Sequence, residues 1–245
     1  MNETKTLKGF KPPWGIYEVL IVLAVTILIP LAITFWLSFI TNLGFLPKAV
    51  IQFLASDNIL SSSLRVAFSL ILEIGMLVWV LKRYKLNLGS MGFAKFKPFK
   101  ALLLILSFYF LFAAVVLIVY GLVSWLFPSI DLNEPQKYVF EFGNKGVGLY
   151  LSFLVTVLIA PIIEETYFRG FIFTALSKRG GYLFGALASS FIFGLLHFQT
   201  NIIIYTFLLG LFLAFMYYRL KSIIPGIVLH TINNLVAFLI ISKVI

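Results

Sequence analysis

YLSFLVTVLIAPIIEETYFRG, residues 150–170, is an apolar run long enough to cross a bilayer, and it carries two adjacent glutamates and an arginine. On insertion scales each such group at the centre of a span costs about 2.5 kcal/mol or more. A span that keeps Glu164, Glu165 and Arg169 must therefore pair them, wet them or use them. Glu165 and Arg169 are four residues apart, share a helix face and are placed to form an ion pair. Glu164 lies about 100° further round the axis, where it is free to face a cavity and act as a general base toward water. The bland alternative is a structural charge cluster.

The surrounding composition fixes the class. Of 245 residues, 61% are hydrophobic and 11% are charged, against roughly 25% charged in an average globular chain. Several apolar runs of about 20 residues point to an all-α, polytopic transmembrane helical bundle, because backbone groups in lipid must be satisfied within each segment. Continuous apolar runs also exclude barrel strands, which alternate. There is no cysteine, which removes disulfides, thiolate nucleophiles and Cys-bound metals. The net charge of +10 comes without a groove-reading element, so nucleic acid is not a partner on this reading.

Seven spans are expected, at about 16–40, 61–81, 101–127, 147–177, 182–199, 201–218 and 223–242; a short interfacial helix within 41–60 would raise the number to eight only if it crossed. The first run is too long for a signal-peptide core and is read as a retained span, with Pro30 a possible kink. Residues 1–145 then hold a basic N-terminal segment and three spans. Residues 146–245 hold about four spans and most of the polar residues that lie inside spans.

Loop charge orients the bundle. With the N-terminus in the cytoplasm, that side collects Lys5, Lys8, Lys11, Lys82, Arg83, Lys85, Lys95, Lys97, Lys100, Lys178, Arg179, Arg219 and Lys221; the far side has Lys48, Arg65, Lys137, Lys145 and Lys243. The asymmetry is 13 against 5. The basic loop between the second and third spans also suits anionic lipid, although topogenic charge alone accounts for it.

The chain has two histidines, and both fall in apolar runs. His197 follows Phe193 by four residues. His230 precedes Asn234 by four, so these two project together. A lone histidine in a core is usually a satisfied donor; two of them beside a Glu-Glu-Arg cluster and an intramembrane asparagine suggest a shared site. Counted from the basic ends of their spans, Glu164, His197 and Asn234 lie at similar depths, about 20 Å, and His230 at about 13 Å. HExxH, GxSxG and paired aspartates are absent. Glu73 stands alone in the second span and is read as structural. Glu164, His197 and His230 together form one conceivable zinc set with an open fourth position.

In order and spacing these residues resemble the CAAX-protease and bacteriocin-processing (Abi) family of intramembrane endopeptidases. Its EExxxR motif matches Glu164, Glu165 and Arg169, extended by Phe168-Arg169-Gly170; FxxxH matches Phe193 and His197; HxxxN matches His230 and Asn234. The resemblance covers about 147–240. It implies hydrolysis of a peptide bond within a prokaryotic plasma membrane, on a membrane-bound or prenylated CAAX-type peptide. By carry-over, Glu164 with His197 activates water, His230 and Asn234 stabilise the oxyanion, and Glu165, Arg169 and Phe193 support the site. The family has been described both as metal-dependent and as glutamate-dependent; two histidines and an asparagine favour no metal. Two other readings stay open: a non-proteolytic membrane scaffold or bacteriocin-immunity protein, and a small-molecule transporter, for which no repeat signature is visible.

Overall fold

The computed structural model describes residues 12–132, 134, 136 and 139–244. The basic N-terminal residues Lys5, Lys8 and Lys11, together with Lys137, lie outside the described residues, as does the side chain of Lys243.

The elements are helices: α1 (Ile16–Asn42), a short α2 (Lys48–Leu54), α3 (Ile59–Arg83) and α4 (Pro98–Leu126). A helical run of 50 residues, Gly146–Leu195, follows. It is two helices. Gly181 has φ 80° and ψ 178°, outside any helix, and the chain folds back there. Phe168 packs against Phe193 with ring centroids 4.8 Å apart, and a Cβ on Gly185 would fall 1.9 Å from the Ser177 hydroxyl. Pairs so far apart in sequence can meet only if 146–180 (α5) and 182–195 (α6) are antiparallel. α7 (Thr200–Leu220) and α8 (Ile224–Val244) complete the bundle.

By length and composition six helices can cross a membrane when Gly146–Leu195 is taken as one. The reversal at Gly181 divides that run, and its second part, 182–195, is shorter than a full crossing; the chain is a multi-pass integral membrane protein. The α2 helix has 7 residues, too few to cross, and α1 runs unbroken through Pro30. The fifth span is shorter than the sequence suggests, ending at Leu195 rather than 199, because the chain turns at Leu196–Phe198 with Phe198 at φ 55°.

Lipid gives helices no hydrophobic reason to associate, so close approach of small residues matters. A Cβ on Gly194 would lie 2.8 Å from the Ile203 carbonyl, and one on Gly210 would lie 2.8 Å from Ser190 Cβ; these two glycines let α6 and α7 touch along their length. At the basic face, Trp14 is fully buried and its indole N–H donates to the Phe171 carbonyl (3.2 Å). Glu18 accepts from the Tyr84 hydroxyl, a bond that holds the phenol above its ordinary pKa range.

The connection from α3 to α4 does not stay at the surface. Met91 is fully buried, and its carbonyl sits against Gly170, where a Cβ would come within 2.4 Å. Ile223 N–H donates to the Gly92 carbonyl (2.9 Å), so α8 starts against this buried turn. Non-helical backbone at this depth is tolerated because it is buried in protein.

Gly170→Ala should therefore destabilise the protein by about 1–3 kcal/mol, since the new methyl meets backbone rather than a movable side chain. Gly75→Ala, with nothing within 4 Å of the added Cβ, should leave stability unchanged or raise it by up to about 1 kcal/mol. Thermal unfolding in detergent separates the two; equal effects would contradict this packing.

Candidate active site

The centre of α5 departs from regular α-helix twice, in wide π-type turns at Leu154–Ile159 and Glu165–Phe173. Such turns leave carbonyls in need of donors and recur at functional sites. Pro161 explains the first, since it has no N–H to offer the preceding turn. Asn234 of α8 supplies a donor: its Nδ2 bonds the Thr156 carbonyl at 2.9 Å. Its Oδ1 accepts from Asn233 (3.3 Å), whose own Oδ1 accepts from the Tyr205 hydroxyl. In the second wide turn, the Phe171 carbonyl receives the Trp14 indole and the Thr174 hydroxyl (2.9 Å).

The second turn presents the charged residues. Arg169 Nη1 lies 3.0 Å from Glu165 Oε1, and both side chains are 1% exposed. None of the guanidinium nitrogens finds a hydrogen bond of good geometry. The group lies instead over the face of Phe193, 4.6 Å from its centroid, with Phe168 at 5.9 Å. A desolvated cation on an aromatic face is worth about 2 kcal/mol. Phe193 thus covers the buried guanidinium, and its ring also meets both imidazoles in edge-to-face geometry, His197 at 5.0 Å and His230 at 5.8 Å.

His230 joins the two glutamates. Its Nδ1 donates to Glu165 Oε1 at 3.2 Å, and its Nε2 lies 3.6 Å from Glu164 Oε2. Glu164 is 29% exposed, so of the two acids it is the one that a substrate or water can reach. Two carboxylates and one guanidinium leave one negative charge; the cluster is neutral when a single proton resides on the Glu164–His230 pair. Glu73 of α3, isolated in sequence, comes within electrostatic range of Glu164.

The other two candidates are placed differently. His197 lies beyond the end of α6, not within a span, and its Nδ1 donates to the Phe193 carbonyl at 2.9 Å. That bond fixes the tautomer of the neutral ring and leaves Nε2 with the lone pair. Asn234 is engaged with α5 backbone one turn along from His230. Among the described residues no three His, Cys, Asp or Glu side chains form a group that could hold a metal ion, the set Glu164, His197 and His230 included.

Sequence reading did not single out Trp14, Tyr205, Asn233 or Thr156. The signals were faint: a tryptophan just before a span, the doubled asparagine, and a proline in mid-helix seven residues before Phe168.

The fold and these side chains define a polytopic membrane protein with a Glu-Glu-Arg-His cluster buried between three helices. Residues 146–236 match the model of the Rce1-like family, described as type II CAAX prenyl endopeptidase Rce1-like. The matched stretch runs from the start of α5 into α8 and includes Glu164, Glu165, Arg169, Phe193, His197, His230 and Asn234. The chain is 34% identical over 120 residues to a protein of Bacillus subtilis (strain 168) named "Putative membrane peptidase YdiL". That match covers 44% of this chain and 49% of the relative, so the chain spans about half the length of the curated relative it matches. No solved structure matches it significantly.

Removing one partner from a buried charge pair strands the other, at about 3–5 kcal/mol. Arg169→Met should cost that much, whereas Phe193→Leu, which removes the aromatic cover but keeps the pair, should cost about 1–2 kcal/mol. Unfolding midpoints in detergent check the order; a Phe193→Leu loss equal to or larger than that of Arg169→Met would contradict it.

Proposed function

We propose that the protein is an intramembrane endopeptidase that hydrolyses a peptide bond near the C-terminus of a membrane-bound or prenylated, CAAX-type peptide. The observation that carries this is the junction of a part-exposed carboxylate, Glu164, with His230, itself oriented by a fully buried carboxylate, Glu165. This arrangement is suited to proton transfer. A water placed between Glu164 and His230 loses a proton to Glu164 as its oxygen bonds the scissile carbonyl carbon. The carbonyl oxygen takes the negative charge. The C–N bond then breaks, and the proton passes to the leaving amine.

Glu165 and Arg169 are positioning residues here. Glu165 holds His230 by Nδ1 and so keeps Nε2 toward Glu164. His197 and Asn234 complete the proposed set: His197 as a second base or donor through Nε2, Asn234 as the residue that ties the proline-widened turn of α5 to α8. A donor aimed at the developing oxyanion is worth about 3–4 kcal/mol. His230 is the member of the set best placed to supply one once protonated. The chemistry proposed needs no metal. The basic face is proposed to look to the cytoplasm, following the loop-charge asymmetry.

Purified protein incubated with a panel of prenylated and unprenylated peptides tests the reading. Cleavage is expected with wild type, to be undiminished by a chelator, and to fall by at least about 1000-fold in Glu164→Gln, as befits loss of a general base. Full activity in Glu164→Gln would overturn the base assignment. A wild type inert on every peptide would favour the scaffold or immunity reading.

A further inference from the structure

On the basic face, a pocket of about 400 Å³ opens between Lys95, Phe96, Lys97, Lys100, Arg219 and Leu220. Four of the six lining residues are cationic and none is acidic. The sequence explains the imbalance: no Asp or Glu occurs between Glu73 and Asp131, and none after Glu165. Among the described residues, the ion pairs engage Arg65, Arg83, Arg169 and His230, not these four cations.

Both walls of the pocket are fixed in place. One is the segment leading into α4, the other the end of α7. Two hydrogen bonds tie them together: Ile223 N–H to the Gly92 carbonyl (2.9 Å) and the Ser222 hydroxyl to the Ala94 carbonyl (2.8 Å). Gly92 allows this approach. It has φ +94°, and a Cβ there would lie 2.8 Å from the Tyr217 ring. Arg219 is seated over the Phe215 ring, 5.6 Å from its centroid. The cations are thus gathered from two elements around one concavity rather than spread along a flexible loop.

We propose that this pocket binds the phosphate group of an anionic membrane lipid. Repulsion among four clustered cations is relieved by a phosphodiester, and guanidinium and ammonium donors suit its oxygens. The pocket lies where α4 begins and α7 ends, at the boundary where headgroup phosphates sit. Phe96 and Leu220 give its rim an apolar part, which fits an amphiphile better than free phosphate. Basic pockets between transmembrane helices recur as headgroup sites.

The test uses the full chain in mild detergent, titrated with short-chain phosphatidylglycerol, short-chain phosphatidylcholine and inorganic phosphate, with bound species read by native mass spectrometry. Phosphatidylglycerol should bind at least about tenfold more tightly than phosphatidylcholine. At about fivefold per cation near the surface, Lys97→Gln/Arg219→Gln should weaken it about 25-fold. The control pair Lys85→Gln/Arg179→Gln removes the same charge from the same face outside the pocket and should weaken it less than about threefold. Lys97→Arg/Arg219→Lys, which keeps the charge, should retain binding. Equal losses in the two neutralised pairs would reduce the effect to diffuse surface charge and overturn the site. Phosphatidylcholine bound as tightly as phosphatidylglycerol would do the same. Displacement of the lipid by inorganic phosphate at matching concentration would overturn the lipid as the source of the phosphate.

Discussion

Glu165 is the constraint around which the bundle is arranged. Its side chain is 1% exposed, and one oxygen, Oε1, faces both Arg169 and His230. A carboxylate at such a place is tolerated only if charge and hydrogen bonds come to it. Arg169 arrives from the next turn of the same helix, but His230 must come from α8, and the aromatic cover over Arg169 must come from Phe193 on α6. One buried acid therefore fixes how three helices sit against one another. In lipid, where apolar contact does not favour helix over tail, small-residue packing and a polar cluster of this kind decide the register. Stranding one of its charges would cost several kcal/mol, a large share of an ordinary folding free energy.

The backbone of α5 adapts to the same end. A regular helix interrupted by Pro161 would leave carbonyls bare in hydrocarbon. Two widened turns take up the strain, and their exposed carbonyls are met by donors from distant parts of the chain, Asn234 from α8 and Trp14 from ahead of α1. The first half of the chain is thus more than a set of generic spans. It supplies Trp14, brings Glu73 toward Glu164, and inserts the Met91–Gly92 turn between Gly170 and the start of α8.

Much of this was legible in the sequence. Apolar runs of the right length gave the spans, and the Gly180-Gly181 pair fell at the boundary between the fourth and fifth. Spacing of four put Glu165 against Arg169 and set His230 and Asn234 on one face, which the structure turns toward α5. Other features were not legible, for physical reasons. Depth counted from span ends left His230 shallower than Glu164, whereas the structure sets its ring against both glutamates, with α8 starting at the buried Gly92 turn. His197 reads as lying inside a span near its end, yet the helix stops at Leu195 and a left-handed Phe198 carries the turn. Trp14 and Phe171 are 157 residues apart, and no local pattern encodes a bond over that distance. The place of Phe193 between a guanidinium and two imidazoles follows only from three helices meeting.

The most direct test is a double-mutant cycle between Glu165 and His230, read as unfolding free energy in detergent from Glu165→Gln, His230→Gln and the double variant. It needs no substrate and addresses the convergence itself. Contact between the two side chains predicts a coupling of about 1–3 kcal/mol, the double variant losing less than the two single losses together. Losses that add to within about 0.3 kcal/mol would mean that the two groups do not meet, and the shared site would go with them.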